Sequence, residues 1–344
     1  MRLDRILLLG AALLSMVATV SCKKDKDDDD DSTSESFTGS VSFTLPTYVS
    51  PGEKYTFHMD GISREDSGSY GIIWTIETFD IKDTTRYEAD PATVTGDFTF
   101  TVPDTLCKFT LMASAFADGY TTTSSSLSAT IVNAAKYDGS ITGRSFDSGK
   151  DFVFTDSRDD KEYWCTTIGD RDWFRENLAC EGTGYPYCGS TQMEQILGNF
   201  YSWNEAQSAC PEGWRLPDSA DWSALAKELS GVDYGSTETF AGIAGKLMSD
   251  AYFNGDRMWE YWPKVNITDS SHFSALPSGY AIQNGEDDYE FTAYCKYATF
   301  WVNDSFGDKA LYRYLYVDKT DCFVGTADKD GFLASVRCVR DSQK

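Results

Sequence analysis

The chain has 344 residues, with 54 acidic against 30 basic side chains and a formal net charge of -24. That excess repels phosphate backbones and argues against a nucleic-acid partner. Aromatic residues make up 15% of the chain, with 20 Tyr and 9 Trp, which suits a strand-rich extracellular protein or a surface that stacks on ligands.

In chain order, Arg2 and Arg5 precede an apolar run at 6–20, closed by Ser21-Cys22. This is the pattern of a bacterial secretory signal over residues 1–21, cut to leave Cys22 at a new N-terminus for lipidation. About fifteen apolar residues are few for a bilayer span. An ordinary secretory signal is the rival, because Thr19 stands where lipoprotein signals carry Leu. Residues 22–36, with Asp27 to Asp31 in one run, read as an extended, self-repelling tether. With Cys22 given to the lipid, the remaining cysteines number eight, and an even set in an exported protein reads as disulfides. No C-x-x-C pair occurs and the histidines are His58 and His272 alone, so a zinc site lacks ligands.

Residues 37–133 carry strand-like runs at 41–45, 54–59, 71–77, 97–102, 109–116 and 126–132. Turn signals separate them at Ser50-Pro51-Gly52, Asp66-Ser67-Gly68, Pro103-Asp104 and Asp118-Gly119. Strands at this spacing predict a β-sandwich with Trp74 as its central ring. With its Gly119-Tyr120, the segment resembles the PKD or immunoglobulin-like modules that act as stalks in surface proteins. Residues 134–149 read as a linker. Beyond them comes a hairpin at 152–154 and 163–168, then a short strand at Trp173-Phe174. A helix is predicted over 201–209, and a second begins after an N-cap at Asp218 with Asp221 in its first turn. Trp222, Leu225, Ala226 and Leu229 fall on one helical face. A third short helix is placed at 241–248, and the chain then returns to strands and long loops.

Four phrases recur in a fixed order: Ile168-Gly169-Asp170-Arg171-Asp172-Trp173-Phe174-Arg175-Glu176-Asn177-Leu178, Trp203-Asn204-Glu205-Ala206, Cys210-Pro211-Glu212-Gly213-Trp214-Arg215-Leu216-Pro217 and Ser335-Val336-Arg337-Cys338-Val339-Arg340. Phe273-Ser274-Ala275-Leu276-Pro277-Ser278-Gly279-Tyr280 lies between the last two. Together they resemble the Fibrobacter succinogenes major paralogous domain, over 150–344, a family of exported proteins in Bacteroidetes and Fibrobacteres. The Asp27 to Asp31 run resembles the acidic export signal of Bacteroidetes surface lipoproteins. The same phrases are similar to C-type lectin-like domains, which implies an α+β fold class: a β-sandwich followed by a C-type lectin-like α+β domain. That resemblance also implies a Cys210–Cys338 bridge and an inner Cys295–Cys322 bridge. Cys180 and Cys188 enclose Gly182, Gly184 and Pro186, a loop able to turn back on itself. Cys107 and Cys165 are left as buried thiols or as a bridge between domains.

Catalytic signals are thin. His272 stands alone without a nucleophile motif, and no G-x-S-x-G, H-E-x-x-H or phosphate loop occurs. With 54 acidic residues, carboxylate pairs carry no information. Arg257, Trp259, Tyr261 and Trp262 form a candidate ligand face, with a shared core position as the competing reading of Trp259 and Trp262. Glu286, Asp287 and Asp288, with Asn303 and Asp304 of a phrase resembling the W-N-D of calcium-dependent lectins, are candidate calcium ligands; no other cofactor is indicated. The expectation is a non-catalytic lipoprotein of the outer membrane, exposed at the cell surface. It would touch the membrane through its lipid alone and bind an extracellular glycan or protein. The rivals are a structural or tip subunit of a surface assembly such as a fimbria, and a polysaccharide-acting enzyme.

Overall fold

A computed structural model describes residues 34–77, 82–87, 96–104, 108–132, 145–253, 256–259, 265–285 and 288–343. Cys22, nearly all of the tether, Cys107 and most of the expected linker lie outside them.

The N-terminal strands are β1 (Thr38–Ser42), β2 (Tyr48–Val49), β3 (Lys54–Phe57), β4 (Asp60–Ser63), β5 (Gly71–Glu77), β6 (Lys82–Tyr87), β7 (Phe98–Thr101), β8 (Lys108–Phe116) and β9 (Thr123–Ile131). Five of them form a sheet in the order β2-β9-β8-β5-β6, and the pairs β1-β4 and β3-β7 share a core with it. Trp74 is fully buried there, edge-on to Phe43 and stacked on Phe98, and its indole N–H donates to the Gly96 carbonyl at 2.7 Å. Burial alternates along part of β8, as expected for a strand with one face on the core.

The C-terminal strands are β10 (Asp151–Thr155), β11 (Glu162–Ile168), β12 (Arg171–Phe174), β13 (Tyr185–Pro186), β14 (Asn199–Tyr201), β15 (Tyr252–Phe253), β16 (Asp256–Arg257), β17 (Tyr280–Gln283), β18 (Tyr289–Thr292), β19 (Tyr297–Phe306), β20 (Lys309–Tyr316), β21 (Phe323–Asp328), β22 (Phe332–Ser335) and β23 (Val339–Asp341). The helices are short: α1 (Thr191–Leu197), α2 (Trp203–Ala209), α3 (Ser219–Ser230) and α4 (Ala244–Leu247). One antiparallel sheet runs β10-β11-β12-β23, so the last strand closes on the first hairpin. The larger sheet runs β13-β14-β22-β19-β20-β21, with β17 and β18 attached through β22.

The C-type lectin-like α+β arrangement is therefore corrected. Strands occupy 43% and helices 12% of the described residues, spread over several sheets, so the fold they form is β-rich. The physical reason lies in how short the helices are. α3, the longest helix among the described residues at twelve residues, buries Trp222, Leu225 and Ala226. Its start is fixed locally: the Asp218 carboxylate accepts from the Asp221 N–H, and the Asp221 carboxylate accepts from the Asp218 N–H. Gly231, at φ 74°, ends it. The other described helices are seven residues or fewer, and the rest of the regular structure is strand.

Cys210 and Cys338 are joined, across 128 residues of sequence, with Cα atoms 5.8 Å apart. The other two expected bridges are not formed. Cys322 is buried beneath the larger sheet, its backbone paired with Phe240, while Cys295 sits in a turn at φ 64°. Cys180 packs in the core around Trp214, whereas Cys188 is exposed in a tight turn after β13. Cys165 is buried as a thiol. The N-terminal sheet also touches the C-terminal region. Tyr48 packs on Tyr187, Ser50 accepts from the Gln192 amide at 3.0 Å, and Val132 is buried with Met193 and Phe200.

Candidate functional site

Two of the four residues of the sequence-derived ligand face lie among the described residues. Trp259 is 1% exposed, lies in the core, and donates its indole N–H to the Ala275 carbonyl. Arg257 is exposed and donates to the Tyr252 hydroxyl; Tyr261 and Trp262 fall outside the described residues. Of the calcium candidates, Glu286 and Asp287 are likewise outside. Asp288 belongs to the β17–β18 hairpin, and the Asn303 N–H donates to Pro217. Asp304 accepts from the Ser219 N–H at the start of α3, so one of its oxygens already serves a helix end. Among the described residues, the group close enough to share a cation is Asp156, Asp159 and Cys180. There the Arg158 guanidinium already binds the Asp156 carboxylate at 2.7 Å.

His272 has a partner: its Nδ1 lies 2.7 Å from the fully buried Asp151 carboxylate, which also pairs with the buried Arg175 at 3.0 Å. Burial alone would raise the Asp151 carboxyl. Hydrogen bonds from Asp147, Thr166 and His272, with the Arg175 charge, outweigh it and hold the group below the usual carboxylate range. This network ties β10 to the 269–274 segment. The network fixes the orientation of His272 and Arg175 against β10.

A different surface has the properties of a ligand face. In β20, Leu311, Arg313 and Leu315 are buried, while Tyr312, Tyr314 and Tyr316 are half-buried on the opposite side. Pairing places Tyr297 of β19 opposite Tyr316, and Phe323 of β21 opposite Tyr314. Phe332 of β22 and Tyr280 of β17 continue the row, with Tyr312–Phe332 and Phe332–Tyr280 centroids each 5.1 Å apart. The planes of these pairs differ by only 23° and 25°. β19 lies between β20 and β22, so the Tyr312 and Phe332 rings meet above it, while Phe332 and Tyr280 sit on the paired strands β22 and β17. The Tyr312 ring lies over Gly325 of β21, with its hydroxyl end nearest that glycine. Tyr297 meets Tyr316 at 4.6 Å and Tyr280 edge-on at 5.9 Å, closing the patch. The hydroxyls of Tyr280, Tyr297, Tyr312, Tyr314 and Tyr316 have no hydrogen-bond partner among the described residues and are not sealed from solvent. Burial pushes the Tyr297, Tyr312 and Tyr314 hydroxyls above the usual tyrosine range, which keeps them protonated and able to donate.

The row is held stiffly. Gly325 lies under Tyr312, where an added Cβ would sit 2.4 Å from a ring carbon, so only a bare backbone lets this ring settle. The far end of the same sheet face is covered by α2, whose Trp203 donates to the Val302 carbonyl. The aromatic row is the part left open. Its signal in the sequence is the period-two run Leu311-Tyr312-Arg313-Tyr314-Leu315-Tyr316, which motif-based reasoning passed over.

The Fibrobacter succinogenes major domain matches residues 166–340, a span that takes in α3, the bridge and the whole tyrosine row. No curated protein and no solved structure matches the chain. With half of its length matched, and with the four phrases lying within or against that span, the chain belongs to the Fibrobacter succinogenes major domain family.

Proposed function

We propose that this protein is a non-catalytic lipoprotein of the outer membrane, displayed at the cell surface, whose tyrosine row binds an extracellular glycan. The observation that supports the reading most is the set of five unpaired tyrosine hydroxyls on a stiff, half-exposed row of stacked rings. Such a surface offers apolar ring area to sugar C–H groups and hydroxyls to sugar hydroxyls. Tyrosine does this at low entropic cost, having few side-chain torsions to fix. The signal-like N-terminus with Cys22 and the acidic tether support the lipid anchor. The N-terminal strands, which resemble PKD or immunoglobulin-like modules, then serve as the spacer.

The test is a glycan array probed with the mature protein with and without calcium, repeated with Tyr314→Ala and Tyr312→Ala. Binding that disappears in both variants while thermal unfolding is retained supports the reading. An array blank under both conditions, with the protein recovered in complex with other surface subunits, replaces it with the assembly-subunit reading. Replacing Cys22 with Ala should release the protein from the membrane fraction; unchanged membrane association refutes the lipid anchor.

A further inference from the structure

A second concave feature lies away from the aromatic row, between α4 and the segment that follows residue 264. It is a cleft of about 530 Å³, within the range of small-molecule sites. Its floor is Gly245, whose backbone passes so close to Asn266 that an added Cβ would lie 2.1 Å from the Asn266 carbonyl oxygen. Val265 supplies an apolar wall. Lys246, Asn266, Thr268 and Thr320 supply the polar groups. Several of these keep bonding capacity. The Lys246 ammonium uses one N–H on the Leu229 carbonyl, leaving two. The Asn266 side chain is exposed and has no partner among the described residues. The Thr320 hydroxyl donates to Asp321 and can still accept.

The rim is pre-set. Asp269, His272 and Ser274 all adopt left-handed backbone, at φ 45°, 61° and 54°. The buried Asp269 carboxylate holds this loop by accepting from the Ser274 N–H at 2.8 Å and its hydroxyl at 2.7 Å. The Gly245 carbonyl accepts from the N–H groups of Thr268 and Asp269, tying the rim to the floor. Backbone strain of this kind persists only where the surroundings over-determine it, and it clusters at ligand sites. A rim fixed in advance also lowers the entropic cost of binding.

We propose that this cleft is a second binding site and takes a single uncharged sugar ring. Donors and acceptors on one side and Val265 on the other match a ring with hydroxyls at its rim and C–H groups on its face. The charged groups at the cleft are each engaged within the chain, Lys246 on the Leu229 carbonyl, Lys150 on the Ser270 carbonyl and Asp321 on the Gly242 N–H, so the site is matched to hydroxyl groups rather than to a charge. The site does not depend on the tyrosine row.

Saturation-transfer NMR on the full mature chain tests it, with methyl glucoside, methyl galactoside, N-acetylglucosamine and glucuronic acid each at about 10 mM, where even weak sites fill. At least one uncharged ring should bind. Its affinity should fall about tenfold, the order expected for one lost hydrogen bond, in both Asn266→Ala and Thr320→Val, and hold in Tyr314→Ala. These are exposed positions whose replacement leaves the fold intact. Absence of uncharged-sugar binding, insensitivity to both cleft variants, or equal binding of glucuronate overturns the proposal while leaving the tyrosine row as it stands.

Discussion

Breaking the Cys210–Cys338 bond measures how far the C-terminal region depends on one covalent brace. The bond links the end of α2 to the residue just before β23, with 128 residues between its ends. The loop-entropy relation gives about 5 kcal/mol at 25 °C for a closure of that length. Both sulfurs lie in the core around Phe174, Trp214 and Val336, so a Cys210→Ala/Cys338→Ala double variant also loses some packing. Residual structure in the unfolded chain works the other way, and the net expectation is a loss of about 3–5 kcal/mol. For a unit of nearly two hundred residues this lowers Tm by about 10 °C or more. Urea unfolding followed by tryptophan fluorescence, with and without reductant, is the assay. The wild type should lose stability on reduction and the double variant should not respond. A reduced wild type within about 1 kcal/mol of the oxidised one refutes the entropic argument, because loop closure at this length predicts several times more.

Arg337 is 1% exposed and donates to Asn177 Oδ1 and to the carbonyls of Phe174, Phe273 and Ser274, so Arg337→Met should cost about 3–5 kcal/mol in denaturant unfolding by stranding buried acceptors. Burial alone would raise the Asp221 carboxyl, but hydrogen bonds from Arg215, the Asp218 N–H and Arg171 hold it below the usual range. Its folded pKa is thus under the unfolded value of about 3.9, and its stabilisation is complete above that value and lost as pH falls through the folded pKa. Asp221→Asn should flatten the acid limb of a stability-against-pH curve; an unchanged limb refutes the assignment. Gly325→Val should push Tyr312 off its seat and weaken glycan binding about tenfold, read by calorimetry, with little change in far-ultraviolet dichroism.

What could be read from the sequence was what is decided within a few residues. Asp218, Asp221, Trp222, Leu225 and Gly231 specify α3 and its ends, because a helix closes its hydrogen bonds over four positions and its caps are local. Trp74 was legible as a core ring because its strand is apolar on both sides. The Cys210–Cys338 pairing came through family resemblance, since spacing alone leaves cysteine partners open. The α+β expectation, drawn from the resemblance to C-type lectin-like domains, failed because the helices are short and most of the region is strands.

The site was not local in this sense. Trp259 and Tyr314 are both aromatic residues in strand-rich surroundings, and nothing within a few positions distinguishes them. The first is covered by the 273–275 segment, and the second stays open because α2 shields only the other end of its sheet. Likewise Asp151 meets His272 from 121 positions away, and the cleft exists only because Gly245 crosses Asn266. The sequence by itself determined composition, local helix ends and the alternation that gives each strand two faces. Which face meets solvent was decided by tertiary structure alone, because burial depends on what distant segments pack above a strand and not on the strand's own pattern.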